Sequence, residues 1–166
     1  MTRLLSEDEQ RVWRDFLAVQ TRLSAAIGAQ LQQAAGMSEP DFAVLVVLSE
    51  APDGRVRAFE AGRLLQWEKS RLSHHLTRME RRGLVARESC GTDRRGAFIV
   101  LTPSGREAIE AAAPDHVEHV RRLFFDVLGP EQVAALGNAC GSLLASLGGD
   151  GCSPQPDCDE AVTPSG

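Results

Sequence analysis

The sequence predicts a mainly α-helical chain with one small β-hairpin in its middle, and three observations predict it. Apolar residues recur at helical spacing over most of the 166 residues. Helix-opening signals stand ahead of several of those segments: Ser6 with Glu9, Ser38 with Pro40, and Thr102 with Pro103. One stretch breaks the rhythm. From Leu84 to Leu101, two strand-like runs flank a polar turn bracketed by glycine.

The first helix opens at the capping box Ser6-Glu7-Asp8-Glu9. Leu5, Val12, Trp13, Phe16, Leu17, Leu23, Ile27 and Leu31 then carry it to Gly36. Its apolar stripe is wide, more than one small domain can cover. A second helix starts at Ser38, with Pro40 in its first turn, and runs through Phe42, Val44, Leu45 and Leu48. Ala51-Pro52-Asp53-Gly54 stops it with turn chemistry. Arg55-Val56-Arg57 follows as a very short strand.

The next helix covers about Ala58 to Leu65, with a tight turn at Gln66-Trp67. A further helix runs from about Glu68 to Arg82 and stops at Gly83. Leu84 to Ser89 alternates as a strand does, Cys90 to Gly96 is the polar turn, and Ala97 to Leu101 is β-branched and apolar. Thr102-Pro103 opens another helix that reaches about Asp126, with Pro114 expected to kink it. The last helix starts at Gly129-Pro130-Glu131 and ends near Leu147. Two short helices, a tight turn and a hairpin, in that order, are a winged helix-turn-helix. From Gly148 onward apolar periodicity is lost, and the tail is expected to be disordered.

Charge divides the chain in the same way. The overall net charge is −5, which looks wrong for a nucleic-acid binder. Yet Arg55 to Arg106 holds 12 Lys and Arg against five acidic residues, a net of +7, while the remainder is −12. A basic middle in an acidic frame is the footprint of a phosphate-binding module, although a solvated charged face alone has the same composition.

A helix over 68–82 advances 100° per residue, which puts Leu72, Leu76 and Met79 on one side. The opposite side carries Ser70, His74, Thr77, Arg78 and Arg81, with Arg71 at its edge; Lys69 and Ser73 lie in the same N-terminal half. The apolar side must pack inward, so the outward groups suit a major groove. Arg bonds guanine bidentately, Ser, Thr and His meet base edges or phosphates, and nothing acidic stands among them. Ser70, Arg71 and His74 are the candidates for base contacts, and Arg78 and Arg81 for phosphates. At the hairpin tip, Arg94 and Arg95 between Gly91 and Gly96 form a narrow cationic projection that fits a minor groove. Asp93 would orient one arginine or hold the turn.

These residues also carry a resemblance. Asp93-Arg94-Arg95, followed by Leu101-Thr102-Pro103-Ser104-Gly105, is similar to the DxRxxxxxLTxxG wing signature of MarR-family regulators. The run from Arg71 to Val85 resembles that family's recognition helix and its exit into the wing. The likeness extends from the first helix to about Leu147. It implies a triangular homodimer on a palindromic double-stranded DNA operator, usually a repressor released by a small anion, a phenolic compound or an oxidant. It also implies an effector pocket between the dimer helices and the DNA-binding lobe, for which Trp13, Phe16 and Trp67 are candidates. Two departures stand out. The family's turn usually contains Gly, where this chain has Gln66 and Trp67, with Gly62 one helix turn earlier. The peroxide-sensing branch uses a first-helix cysteine beside tyrosines, and this chain has no Tyr and no Cys before Cys90.

Dimerisation has its own physical case. Val117, Val120, Leu123, Phe124, Val127 and Leu128, then Val133, Leu136, Leu143, Leu144 and Leu147, are more apolar surface than a basic centre can cover while facing DNA. Burying each large side chain against a twin is worth roughly 1.5–3 kcal/mol. The expected organisation is a dimerising helix over 1–36, a DNA-binding domain over 37–102, dimerising helices over 103–147, and the tail over 148–166. Two-fold symmetry would set the recognition helices about 34 Å apart.

Other classes are less well supported by the residues. No dinucleotide, P-loop, nucleophile-elbow or zinc-protease motif is present in the sequence, so no catalytic residue and no cofactor is expected. His116 and His119 with Glu118 could suggest a metal site, but surface helix histidines account for them and no metal is expected. Cys90, Cys140, Cys152 and Cys158 form no CxxC pair and are expected to be reduced. With no apolar leader before Glu9 and no apolar run longer than Phe42 to Leu48, a cytoplasmic chain without membrane contact is expected. The alternative functions are a winged-helix module for protein contacts without DNA binding, which needs no basic recognition face, and, less favoured by the residues, a small metal-dependent enzyme.

Overall fold

The computed structural model describes residues 4–89 and 97–147. Cys90, the wing-tip residues Asp93, Arg94 and Arg95, and the tail from Gly148 lie outside the described residues. The chain divides into two compact units, one ending at Val127 and the other starting at Leu128.

In the first unit, α1 spans Glu7–Ala35. Its capping box is complete: Ser6 Oγ accepts from Glu9 N–H at 3.2 Å, and Glu9 Oε2 accepts from Ser6 N–H at 2.7 Å. Gly36, at φ 58°, ends it in the left-handed conformation that glycine adopts without strain. The second helix, α2, spans Glu39–Glu50 behind a second complete capping box, Ser38 with Asp41. A single 3-10 turn, Pro52–Gly54, leads into the strand β1, Arg55–Arg57. Then come α3 (Ala58–Leu64) and α4 (Lys69–Arg81), and the strands β2 (Val85–Ser89) and β3 (Ala97–Leu101). The helix α5, Pro103–Val120, runs through Pro114 without a break and gives way to a π-helical turn at Arg121–Phe125.

The three strands form one antiparallel sheet in the order β1-β3-β2. Pairing Val56 with Ile99 and Val85 with Leu101 puts all four on one face, and all four are buried. They close a core with Leu31 of α1, Met37 between α1 and α2, Leu45 and Leu48 of α2, Ala61 of α3, and Leu72, Leu76 and Met79 of α4. The mainly helical class with a small hairpin is therefore observed, with β1 extending the hairpin to three strands.

The Leu-Thr-x-x-Gly run is a joint between wing and helix. Thr102 Oγ1 accepts from Gly105 N–H at 3.0 Å and donates to Gly83 O at 2.6 Å, so one hydroxyl caps α5 and ties it to the exit of α4. A Cβ built on Gly105 would stand 2.0 Å from Leu84 O, so only glycine lets α5 start this close to the sheet.

In the second unit, α6 spans Pro130–Leu147 and carries Leu136, Leu143, Leu144 and Leu147 exposed. Cys140 on it is a free, exposed thiol. Among the described residues, no helix is long and apolar enough to cross a membrane.

Candidate nucleic-acid interface

The surface of α4 is split as its sequence predicts. Leu72, Leu76 and Met79 are buried, while Lys69, Ser70, Arg71, Ser73, His74, Arg78 and Arg81 are exposed. The first turn holds no acidic residue, and the N-cap Glu68 makes no side-chain cap bond. The leading amides are thus left open, a feature suited to phosphate oxygens. Arg78 and Arg81 fall in the last turn, where cations complement the helix dipole. Among the described residues, Lys69, Arg71, Arg78 and Arg81 form no ion pair, so their charge is available to a partner.

The turn ahead of α4 solves its missing glycine in an unusual way. Gln66 itself takes φ 53°, the left-handed conformation. Its N–H donates to Arg63 O at 3.2 Å, and Trp67 N–H donates back to Gly62 O at 2.8 Å, which closes α3 as a Schellman cap. Gly62 is needed one turn earlier, because a Cβ there would press to 3.3 Å on Trp67 O. Trp67 then acts as a post. The Arg71 guanidinium lies 4.6 Å from its ring centroid, and the His75 ring meets it edge-on at 5.2 Å. Arg71 is thereby held near the start of the exposed face.

Thr77 is placed differently from its neighbours. It is only half exposed, and its hydroxyl donates to Ser73 O at 2.9 Å while accepting from Arg87 Nη2 at 3.2 Å. Its hydrogen-bonding capacity is used inside the lobe rather than offered outward. Arg87 on β2 is a residue that sequence reasoning missed. It also donates to Ser73 O at 3.0 Å and pairs with Glu80 at 3.2 Å, fastening α4 to the wing sheet. Only the i, i+2 alternation of β2 could have hinted that it faces α4. Arg55 and Arg57, also unsingled in the sequence, stand 4.4 and 5.0 Å from the Phe98 ring centroid on the outer sheet face.

The three aromatic candidates for an effector pocket are separated. Trp67 lines a groove of about 630 Å³ with Phe59, Arg63, Leu72, Ser73 and Arg87. Trp13 and Phe16 stack on each other, centroids 5.8 Å apart, on the exposed half of α1 and are not among the lining residues. His116 packs on Phe42 with ring centroids 4.4 Å apart, and His119 Nδ1 accepts from Arg122 Nη2 at 2.9 Å. Among the described residues, no group of three His, Cys, Asp or Glu side chains is arranged to hold a metal.

Comparison with known proteins settles the lineage. The sequence profile of the MarR family matches residues 35–96, from the last residue of α1 to the residue before β3. The crystal structure of AbsC, a MarR family transcriptional regulator from Streptomyces coelicolor, is 42% identical and superposes with a TM-score of 0.84. That likeness covers 90% of this chain and all of AbsC, 100%. The chain belongs to the MarR family. A second family member from the same organism, Sco3205, solved in complex with DNA, is 39% identical with a TM-score of 0.85, covering 89% of this chain and 92% of that one. Transcriptional regulator HosA of Escherichia coli O127:H6 is 35% identical over 79 residues, 47% of this chain. That match spans only 56% of the length of HosA.

Proposed function

We propose that this MarR-family chain is a sequence-specific DNA-binding transcriptional regulator, not an enzyme, that acts in the cytoplasm as a homodimer on a palindromic operator. The observation that carries the reading is the exposed face of α4: seven polar or cationic residues outward, three apolar residues locked inward, and its one acid, Glu80, half-buried and paired with Arg87. Ser70, Arg71 and His74 read base edges in the major groove, while Lys69, Arg78 and Arg81 contact phosphates. The solved DNA complex of Sco3205, 39% identical, supports nucleic acid as the partner. Arg94 and Arg95 enter the adjacent minor groove, with Asp93 holding the turn. Repression is the expected sign, and a small-molecule effector would release the DNA. Trp67 is the aromatic candidate that lines a groove beside α4.

A gel-shift titration tests the wing. Replacing Arg94 and Arg95 together with Ala should weaken binding to a selected palindrome by at least about tenfold and flatten its salt dependence by about two contacts. Unchanged affinity removes the wing from the interface.

A further inference from the structure

The most deeply buried charge in the lobe is not on its DNA-facing side. Asp41, in the first turn of α2, is 2% exposed, and three groups converge on its carboxylate. Ser38 N–H donates to Oδ2 at 3.1 Å and closes the capping box. Arg82 Nη1 donates to the same oxygen at 2.6 Å. His75 Nε2 stands 2.9 Å from Oδ1, at contact distance but without the alignment of a hydrogen bond. Arg82 reaches further: its Nη2 donates to Gly36 O at 3.0 Å, the carbonyl that follows α1.

A capping box needs an acceptor at this position; it does not need a buried charge. Burial pushes the Asp41 carboxyl up, yet Ser38 and then Arg82 outweigh it and hold the group below the ordinary carboxylate range. Buried ion pairs of this kind add little to stability, and where they have a role it is in fixing one arrangement among several. Here the arrangement is that of α4. Leu72, Leu76 and Met79 supply non-directional packing, against which a helix can rotate or slide. The Arg82 bond to Asp41 is directional and grips the chain just past the end of α4, while His75 rests against the same carboxylate from the middle of the helix. His74, the next residue to His75, faces outward, so fixing one fixes the other.

We propose that Asp41 is a positioning residue for DNA recognition. Through Arg82 and His75 it sets the angle at which α4 presents Ser70, Arg71 and His74, and it touches no nucleic acid itself. The inference rests on the DNA-binding reading above. Bidentate base contacts tolerate misplacement of only about 0.5 Å, whereas phosphate contacts by flexible side chains are forgiving. Loss of the clamp therefore lowers selectivity more than it lowers affinity for arbitrary DNA.

The test uses the full chain, a duplex that the wild-type protein selects from a random library, and a scrambled duplex at the same salt. Asp41→Asn keeps an acceptor for Ser38 N–H and removes the charge; Arg82→Gln removes the partner. Each should lose at least about tenfold on the selected duplex and less than about twofold on the scrambled one. The double variant should lose no more than the worse single, because the two side chains act as a unit. Arg82→Lys, which cannot reach Asp41 and Gly36 O together, should fall between, and it carries the test if Asp41→Asn does not fold. A lower Tm with an unchanged selectivity ratio overturns the proposal, as does an equal loss on both duplexes, which would make Arg82 a phosphate ligand. A wild-type chain that selects no duplex overturns the DNA-binding reading and this proposal with it. Selection by the wild type with equal selection by Asp41→Asn overturns this proposal alone.

Discussion

The lobe around α4 and the first half of α1 treat the same class of residue in opposite ways. In the lobe, Leu76 is 2% exposed and Met79 0%, whereas on α1 Val12 is 66% exposed and Trp13 53%. The lobe's apolar side chains have found partners within one chain, and its outward residues are charged or hydrogen-bonding. On the first half of α1, Val12, Trp13, Phe16 and Leu17 stand exposed among charged residues, and apolar patches of that kind mark association surfaces in soluble proteins. One region is finished and presents a polar face to a polar partner. The other is unfinished and calls for a second copy, which is how the proposed dimer divides its labour.

The comparison breaks most visibly at α1. Val12→Asp with Phe16→Asp alters two exposed side chains one helical turn apart, so the protomer should fold unchanged. Each side chain buried in a dimer is worth roughly 1.5–3 kcal/mol, so the pair should weaken dimerisation by at least about 100-fold. Sedimentation velocity checks this; an intact dimer would move the interface elsewhere. A comparable blow to the finished region is Gly105→Ala, whose new methyl would collide with Leu84 O at 2.0 Å and Leu101 Cδ1 at 2.9 Å. Shifting α5 to make room should cost about 3 kcal/mol in a denaturant titration.

The two regions should also differ in their response to acid. Burial depresses the His75 pKa, with Arg78 and Arg71 acting in the same direction and Asp41 opposing; burial and His119 depress His116. The unfolded chain therefore binds protons at these rings more readily than the folded one. Their stability contribution is present above the ordinary value of 6.5 and is lost as pH falls below it. Thermal unfolding at about pH 5.5 should come at a lower temperature than at about pH 7.5, and His75→Gln should narrow the gap. An unchanged gap would assign the acid sensitivity to groups outside the lobe. The smallest effect is expected at the turn. Gln66 is held at φ 53°, so Gln66→Gly should stabilise the lobe by up to about 1 kcal/mol, net of the entropy that glycine adds to the unfolded chain.

The sequence makes local features legible and long-range polar contacts nearly invisible. Ser6, Ser38 and Thr102 announce their helices because a cap is a contact between residues three apart. The inward and outward faces of α4 follow from periodicity, and only Thr77 departs, drawn to Arg87 across the lobe. Asp41 reads locally as a second cap residue. Its pairing with Arg82 spans 41 residues of chain, and no spacing rule reaches that far. The turn is local in place but not in cause: glycine is the usual way to a positive φ, and Gln66 adopts it because the cap bonds around Trp67 and Gly62 impose it.

The central claim is that two copies present their α4 faces to successive major grooves of one duplex. Guanine N7 methylation interference on the duplex selected by the wild-type protein measures this directly. The account predicts two symmetry-related clusters of interference about 10 base pairs apart, each lost in an Arg71→Ala dimer. A single unpaired cluster, or a pattern indifferent to Arg71, would contradict it.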